Sequence, residues 1–359
     1  EGTQLRAVQF APGISQQEFG HFVFELTDWD RDGDLDVIIA DVGSDCRFRF
    51  RYFEHIRPAN ASFFFIERRV PELLVLDPYI CDADIYSLQI VDWNQDGYLD
   101  VILLLEPAET RYFQSDHGKL REIPAEGNPF HDLPQTICGD DKLYAIRVAD
   151  WDNDGDLDVI AHCGGWCVQL GHCLLAVSYA QHLADGTFLT ELSGWANAID
   201  VVQSDSFCWD CLQVIDWNGD GLLDLFTNSR IVFRSRASGY VERKGDDNPF
   251  AGLLFAYAEP CLVDWDLDGH LDILVRESDH LRLFLQKQGV LIEETLNFDI
   301  VPLAWKDVKT SIDAVDWDGD GDTDLVVATF EGVLRVFDNQ HGELVELNAS
   351  EQDFLASDA

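Results

Sequence analysis

Residues 150–158 read Asp150-Trp151-Asp152-Asn153-Asp154-Gly155-Asp156-Leu157-Asp158, and the same nine-residue phrase returns from Asp28, Asp92, Asp216, Asp264 and Asp316. Each copy sets side-chain oxygens at positions 1, 3, 5 and 9, with glycine at position 6. A hard cation such as Ca²⁺ takes six to eight oxygens around a sharp turn, and this spacing supplies them, with the carbonyl of position 7 as a further ligand. Glycine suits position 6 because the backbone turns there where a side chain would clash.

The candidate ligands follow loop by loop. Loop 1 offers Asp28, Asp30, Asp32, Asp34 and Asp36; loop 2 offers Asp92, Asn94, Asp96, Tyr98 and Asp100. Loop 3 offers Asp150, Asp152, Asp154, Asp156 and Asp158; loop 4 offers Asp216, Asn218, Asp220, Leu222 and Asp224. Loop 5 offers Asp264, Asp266, Asp268, His270 and Asp272; loop 6 offers Asp316, Asp318, Asp320, Asp322 and Asp324. The fourth residue of each set acts through its backbone carbonyl. Loops 2 and 4 carry an amide at position 3 and are expected to bind more weakly, since affinity follows ligand charge. Asp and Gly also favour plain turns, but a plain turn does not require four oxygens at fixed offsets. Up to six structural Ca²⁺ ions are expected.

An EF-hand needs a bidentate glutamate at position 12 and flanking helices. Here position 12 is Ile39, Leu103, Ala161, Thr227, Val275 or Val327. Short apolar runs such as Val101-Ile102-Leu103 follow the loops and read as strands buried on both faces. The residues before each loop also read as strand, so each loop is the tip of a β-hairpin. Third strands are expected at 48–53, 111–113, 174–179, 231–233, 281–285 and 334–337, and fourth strands at 63–67, 119–123, 187–192, 240–243, 290–293 and 343–347. Four strands per repeat make one propeller blade, whose faces are buried by radial stacking. Loop-to-loop spacings of 64, 58, 66, 48 and 52 residues leave no room for a second blade without the motif. The expected fold is therefore all-β: a six-bladed β-propeller of four-stranded antiparallel blades, with a calcium loop in the first hairpin of each. It forms one domain over 1–359, with blades near 21–75, 84–130, 142–195, 210–250, 258–300 and 310–350. Residues 1–20 are the ring-closing segment, in which 5–10 adds a strand to the last blade. The alternative is a seven-bladed ring with one blade incomplete.

This phrase, followed by an apolar strand and repeated along nearly the whole chain, closely resembles the FG-GAP/VCBS repeats. Those include the β-propeller head of integrin α chains, some fungal lectins and many secreted surface proteins. The resemblance implies a calcium-stabilised propeller with metal loops on one rim of each blade. It transfers no activity, because the family holds adhesion receptors, lectins and occasional carbohydrate-active enzymes. Integrin propellers resemble seven blades with fewer calcium loops, so their ligand site is not carried over.

Composition narrows the partners. The chain has 67 acidic and 24 basic residues, a net charge of −43, which argues against nucleic acid and anionic membrane surfaces. No apolar run approaches the roughly 20 residues that span a bilayer. Nine cysteines fit an oxidising compartment. The candidate bridges are Cys167–Cys173, Cys208–Cys211, Cys46–Cys81 and Cys138–Cys163, and the odd number leaves either one thiol over, with Cys261 the candidate, or one intermolecular bridge; a zinc site around Cys163, Cys167, His172 and Cys173 is the alternative. Asn60 and Asn348 head glycosylation sequons. The sequence holds no methionine, even at position 1, which fits a processed or excised segment.

Position 2 of every loop is tryptophan: Trp29, Trp93, Trp151, Trp217, Trp265 and Trp317. Uniform repetition assigns these rings to packing between blades. Trp166, Trp195, Trp209 and Trp305 break the pattern and are better candidates for a ligand surface. Arg47, Arg49 and Arg51 form a basic stripe, read as neutralising acids such as Glu54 or Glu67. Asn128-Pro129-Phe130 and Asn248-Pro249-Phe250 read as equivalent inter-blade turns. The sequence shows no nucleophile elbow, phosphate-cradling loop or HExxH. The expected role is a non-catalytic extracellular or cell-surface module for structure, adhesion or protein interaction, alone or within a larger chain or assembly. A carbohydrate-binding propeller is the alternative, and a carbohydrate-active enzyme the third reading. The partner is an extracellular protein or glycan.

Overall fold

The apolar runs on either side of each acidic loop pair with one another, so that position 9 of the loop is the first residue of the returning strand. In the computed structural model Thr27 pairs with Asp36, Ala149 with Asp158, Ile215 with Asp224 and Val315 with Asp324. The structure describes residues 8–9, 19–43, 48–56, 64–68, 85–105, 109–117, 119–133, 138, 142–164, 173–183, 186–189, 202–204, 212–227, 230–235, 239–242, 247–250, 253, 260–277, 280–294, 311–328, 333–340 and 343–347.

The strands in chain order are β1 (Val8–Gln9), then β2 (Phe19–Thr27), β3 (Asp36–Gly43), β4 (Phe48–Ile56) and β5 (Phe64–Arg68), which form the first sheet. The second sheet holds β6 (Ile85–Val91), β7 (Asp100–Leu105), β8 (Glu109–Asp116) and β9 (Lys119–Glu122). The third holds β10 (Lys142–Ala149), β11 (Asp158–Gly164), β12 (Cys173–His182), β13 (Phe188–Leu189) and β14 (Val202–Ser204). The fourth holds β15 (Gln213–Ile215), β16 (Asp224–Thr227), β17 (Arg230–Ser235) and β18 (Gly239–Glu242). The fifth holds β19 (Pro260–Val263), β20 (Asp272–Glu277), β21 (His280–Lys287) and β22 (Val290–Glu294). The last holds β23 (Ser311–Val315), β24 (Asp324–Ala328), β25 (Val333–Gln340), β26 (Glu343–Glu346) and β1.

The chain is thus an all-β propeller of antiparallel blades, but six identical four-stranded blades are not what it forms. Four sheets have four strands and two have five. In the third sheet β13 pairs with Gln181 and His182 of β12, while β14 pairs with Cys173 to Leu175 at its other end. In the last sheet β26 pairs with Phe337 to Gln340, and Val8 and Gln9 of β1 pair with Leu334 and Val333. A long third strand outruns one short neighbour, and the exposed remainder takes a second. The N-terminal strand therefore adds to the last sheet, as its sequence suggested.

By contacts the chain divides into two compact units. One comprises Glu1–Ile85, Cys261–Leu285 and Glu293–Ala359; the other comprises Tyr86–Pro260 and Gln286–Ile292. Within each, adjacent sheets pack through the loop tryptophans. In the first unit Trp317 meets Val326 and Val336 of its own sheet and Val37, Ile39 and Phe53 of the first sheet. Trp265 packs likewise with Leu274 and with Ile312, Leu325 and Val327 of the last sheet. In the second unit Trp93 lies with Ile102 and Leu104 against Leu143, Ile146 and Val159, and Trp151 lies with Ile160 against Leu212 and Leu225. These rings do the packing that their repetition implied. Burying an aromatic ring of this size contributes on the order of 2–3 kcal/mol.

Burial falls from the second strand outward. All of β7 is buried, whereas β9 buries only Leu120. The Asn-Pro-Phe turns are equivalent: Phe130 N–H donates to Asn128 Oδ1 at 2.9 Å, and Phe250 N–H to Asn248 Oδ1 at 3.0 Å. Each delivers a buried ring edge-on to a loop tryptophan, Phe130 to Trp93 at 4.6 Å and Phe250 to Trp217 at 4.9 Å. Third strands also repeat an arginine over the ring two residues on, as in Arg51 over Phe53, Arg282 over Phe284 and Arg335 over Phe337. Arg335 forks onto Glu346 at 2.6 and 2.7 Å. Glu54 pairs with Arg68 of β5.

Cys138 and Cys163 are disulfide-bonded, and Cys261 is a free thiol, both as the sequence proposed. The same bridge takes Cys163 away from the zinc alternative, since a disulfide sulfur is no thiolate ligand. The other proposed bridges, Arg47, both sequons and Trp166, Trp195, Trp209 and Trp305 involve positions outside the described residues.

The acidic loops as a candidate cation site

All six loops lie within the described residues. Their turns are closed by their own carboxylates. Position 1 accepts from the glycine at position 6: Asp28 from Gly33, Asp92 from Gly97, Asp150 from Gly155, Asp216 from Gly221 and Asp264 from Gly269, at 2.8–3.2 Å. In loop 6 Asp316 instead accepts from Gly319 at 2.8 Å. Position 5 accepts from the N–H of position 7 throughout, namely that of Asp34, Tyr98, Asp156, Leu222, His270 and Asp322.

The turn needs two left-handed residues. Gly33, Gly97, Gly155, Gly221, Gly269 and Gly321 have φ of 80–98°. Position 4 is left-handed as well, at Arg31, Gln95, Asn153, Gly219, Leu267 and Gly319, with φ of 56–73°. Sequence reading missed this second requirement, although glycine or asparagine at position 4 in three loops was its signal. Leu267 meets it against its own preference, at φ 57° and 56% exposed.

Position 9 has a role that spacing alone did not disclose. Asp36, Asp100, Asp158, Asp224, Asp272 and Asp324 are fully buried. In loop 3 Asp158 Oδ2 accepts from Trp151 N–H at 3.1 Å and from the Tyr179 hydroxyl at 2.9 Å, while Oδ1 accepts from His182 N–H at 2.8 Å. Asp36 repeats this with Trp29, Tyr52 and His55. Asp324 accepts from Trp317 and Asn339. This carboxylate ties loop to third strand. Burial, only partly offset by these donors, pushes Asp36, Asp158 and Asp324 up to about 6. Asp30 and Asp152 are also raised, first by burial.

Oxygens of three acids come within 4.8 Å of one another in four loops: Asp28, Asp30 and Asp32; Asp150, Asp152 and Asp158; Asp264, Asp266 and Asp272; Asp316, Asp318 and Asp320. Loops 2 and 4, with Asn94 and Asn218, form no such all-acid group among the described residues. Asp320 also groups with Asp322 and Asp338, the last from β25 and not foreseen from sequence. A bound hard cation fits this donor set: all oxygen, mostly anionic, and closely spaced around a turn. In loop 1 Asp28 Oδ1 is buried with no hydrogen-bond partner among the described residues, a deficit that a cation would fill.

A family model described as "FG-GAP-like repeat" matches residues 92–161 and 264–327. No curated protein matches. Among solved structures, AofleA from Arthrobotrys oligospora is 9% identical with a TM-score of 0.51, covering 95% of this chain and 91% of that one. An Agrocybe aegerita lectin described as recognising non-reducing terminal N-acetylglucosamine is 15% identical, with a TM-score of 0.48 and coverage of 95% and 83%. The AofleA likeness concerns the fold alone. With FG-GAP-like repeats matched in two segments and a propeller of antiparallel blades, this chain is similar to the FG-GAP-like repeat proteins.

Proposed function

We propose that the chain is a non-catalytic, extracellular propeller stabilised by Ca²⁺ at its hairpin tips and used as a structural, adhesion or protein-interaction module. The observation that carries the metal reading is the loop 1 triad of Asp28, Asp30 and Asp32, with the buried Asp28 Oδ1 left without a partner. Positions 1, 3, 5 and 9 would hold the ion, with position 9 also orienting the loop from below. Bound Ca²⁺ would neutralise carboxylates that otherwise repel at short range. The Cys138–Cys163 bridge supports an oxidising compartment, where calcium is also abundant.

The buried acids support a non-catalytic reading, because position 9 is already engaged by backbone donors rather than poised towards a substrate. A glycan-binding role at the loop tryptophans is disfavoured, since Trp93, Trp151, Trp217, Trp265 and Trp317 are buried.

Terbium luminescence sensitised by these rings, together with melting in calcium or chelator, tests the metal. At about 1 mM free Ca²⁺ and a Kd of about 0.1–1 mM, each site contributes about 0.4–1.4 kcal/mol. No luminescence and identical melting in chelator would refute it. Glycan-array and surface-protein binding assays in calcium test the role. Protein capture without glycan signal supports the interaction module. A specific glycan signal replaces it with the lectin reading, and polysaccharide turnover overturns the non-catalytic one.

A further inference from the structure

Loops 2 and 4 share an amide at position 3 but differ at the residue that follows it: Gln95 after Asn94, Gly219 after Asn218. Asn218-Gly219 is the single Asn-Gly pair in the sequence. We propose that Asn218 is a self-modification site, deamidated by its own backbone.

The reaction needs the backbone nitrogen of the following residue to reach the side-chain carbonyl carbon. Gly219 presents that nitrogen without a Cβ to block the approach, on an exposed turn with nothing within 4 Å of where a Cβ would stand. Its φ of 70° is one glycine adopts freely. The Gly219 N–H has no hydrogen-bond partner among the described residues, whereas the equivalent Gly319 N–H is held by Asp316 at 2.8 Å. The Asn218 side chain is also prepared. Its Oδ1 accepts from Asp220 N–H at 2.9 Å, a donor placed where negative charge develops as the carbonyl becomes tetrahedral.

The Gly219 nitrogen gives its proton to solvent base and forms a bond to Asn218 Cγ. The bond from Cγ to the side-chain nitrogen breaks, and that nitrogen takes a proton and departs as ammonia. Water then opens the five-membered imide at either carbonyl. Opening at Cγ leaves a normal aspartate; opening at the backbone carbonyl leaves a β-linked one with an extra methylene in the main chain. The balance is one water in and one ammonia out, with no redox partner.

The first product gives loop 4 the acid that Asp30, Asp152, Asp266 and Asp318 supply elsewhere. Its effect on cation affinity rests on the calcium reading above; the cyclisation does not.

The test incubates the folded full chain at mildly alkaline pH and maps the loop 2 and loop 4 peptides by mass. Asn218 should convert at least about tenfold faster than Asn94, a barrier lower by about 1.4 kcal/mol. Gly219→Ala should slow it comparably. Because alanine is strained at that φ, Gln95→Gly provides a second arm: it relaxes its site and should make Asn94 convert. Asn218 remaining intact, or Asn94 staying inert in Gln95→Gly, overturns the proposal. Asn218→Asp should tighten one step of a calcium titration. An unchanged titration overturns the metal consequence and leaves the cyclisation standing.

Discussion

Tyr112→Phe isolates the anchoring role of position 9, because it removes one oxygen and leaves the ring in place. Tyr112 donates to Asp100 Oδ2 at 2.7 Å, and both residues are buried. Asp100 Oδ1 accepts from Ser115 N–H at 2.7 Å, but in loop 2 the tryptophan N–H goes to Val91 O instead of the carboxylate. The hydroxyl is therefore the sole partner of Oδ2 among the described residues. A hydrogen bond to a charged acceptor is worth about 1.5–3 kcal/mol, and stranding a buried acceptor puts the loss at the upper end, about 2–3 kcal/mol. Tyr52 and Tyr179 donate to Asp36 and Asp158 at 3.2 and 2.9 Å, where the tryptophan N–H still serves the same oxygen. Their phenylalanine variants should lose only about 0.5–1.5 kcal/mol. Urea denaturation in chelator, read as a midpoint change at constant slope, gives all three without any contribution from bound ion. Equal losses, or a Tyr112→Phe loss below about 0.5 kcal/mol, would show that position 9 is not held in this way.

Other perturbations separate buried from exposed contributions. Arg335→Ala breaks a pair in which both side chains are only 8–9% exposed, and should cost about 3–5 kcal/mol in urea denaturation. Arg282→Ala removes the same fork from a pair 25% and 54% exposed, and should cost about 1 kcal/mol or less. His162 is buried with neither ring nitrogen hydrogen-bonded among the described residues, and burial, with the Arg147 charge second, pushes it down to about 4. Its folded pKa lies below the unfolded value, so only the unfolded chain takes up the proton between about pH 6.5 and 4. Stability should then fall with pH by up to about 1.4 kcal/mol per unit in that window, and His162→Leu should flatten the slope; parallel pH profiles would refute this. Replacing Cys138 and Cys163 by serine opens a link across a sequence separation of 25 and should lower stability by about 3–4 kcal/mol, read from the thermal or urea transition.

Most of the architecture was legible because it is written locally. The acidic phrase closes its turn through bonds between residues two to five apart, as from Gly155 to Asp150 and from Asp156 to Asp154, so spacing alone predicts the geometry. The apolar run after each loop marks a strand buried on both faces, and β7 is buried throughout. The Asn-Pro-Phe turns and the tryptophans of position 2 were recognisable by repetition, since each occupies the same environment in successive repeats.

What sequence could not supply depends on groups distant along the chain. Spacing assigned Asp100 and Asp158 as ligands but could not show that Tyr112 and Tyr179 reach them from another strand and make them anchors as well. Nothing in the order of the cysteines ranks Cys138–Cys163 above its alternatives until β11 brings Cys163 into place. The paired short strands beside β12 and β25 follow from unequal strand lengths, which appear only once registers are set. Turn chemistry and periodicity are short-range and so were fixed by the residues themselves. Partner choice is long-range: many pairings satisfy the same pattern, and the packing of whole sheets selects among them.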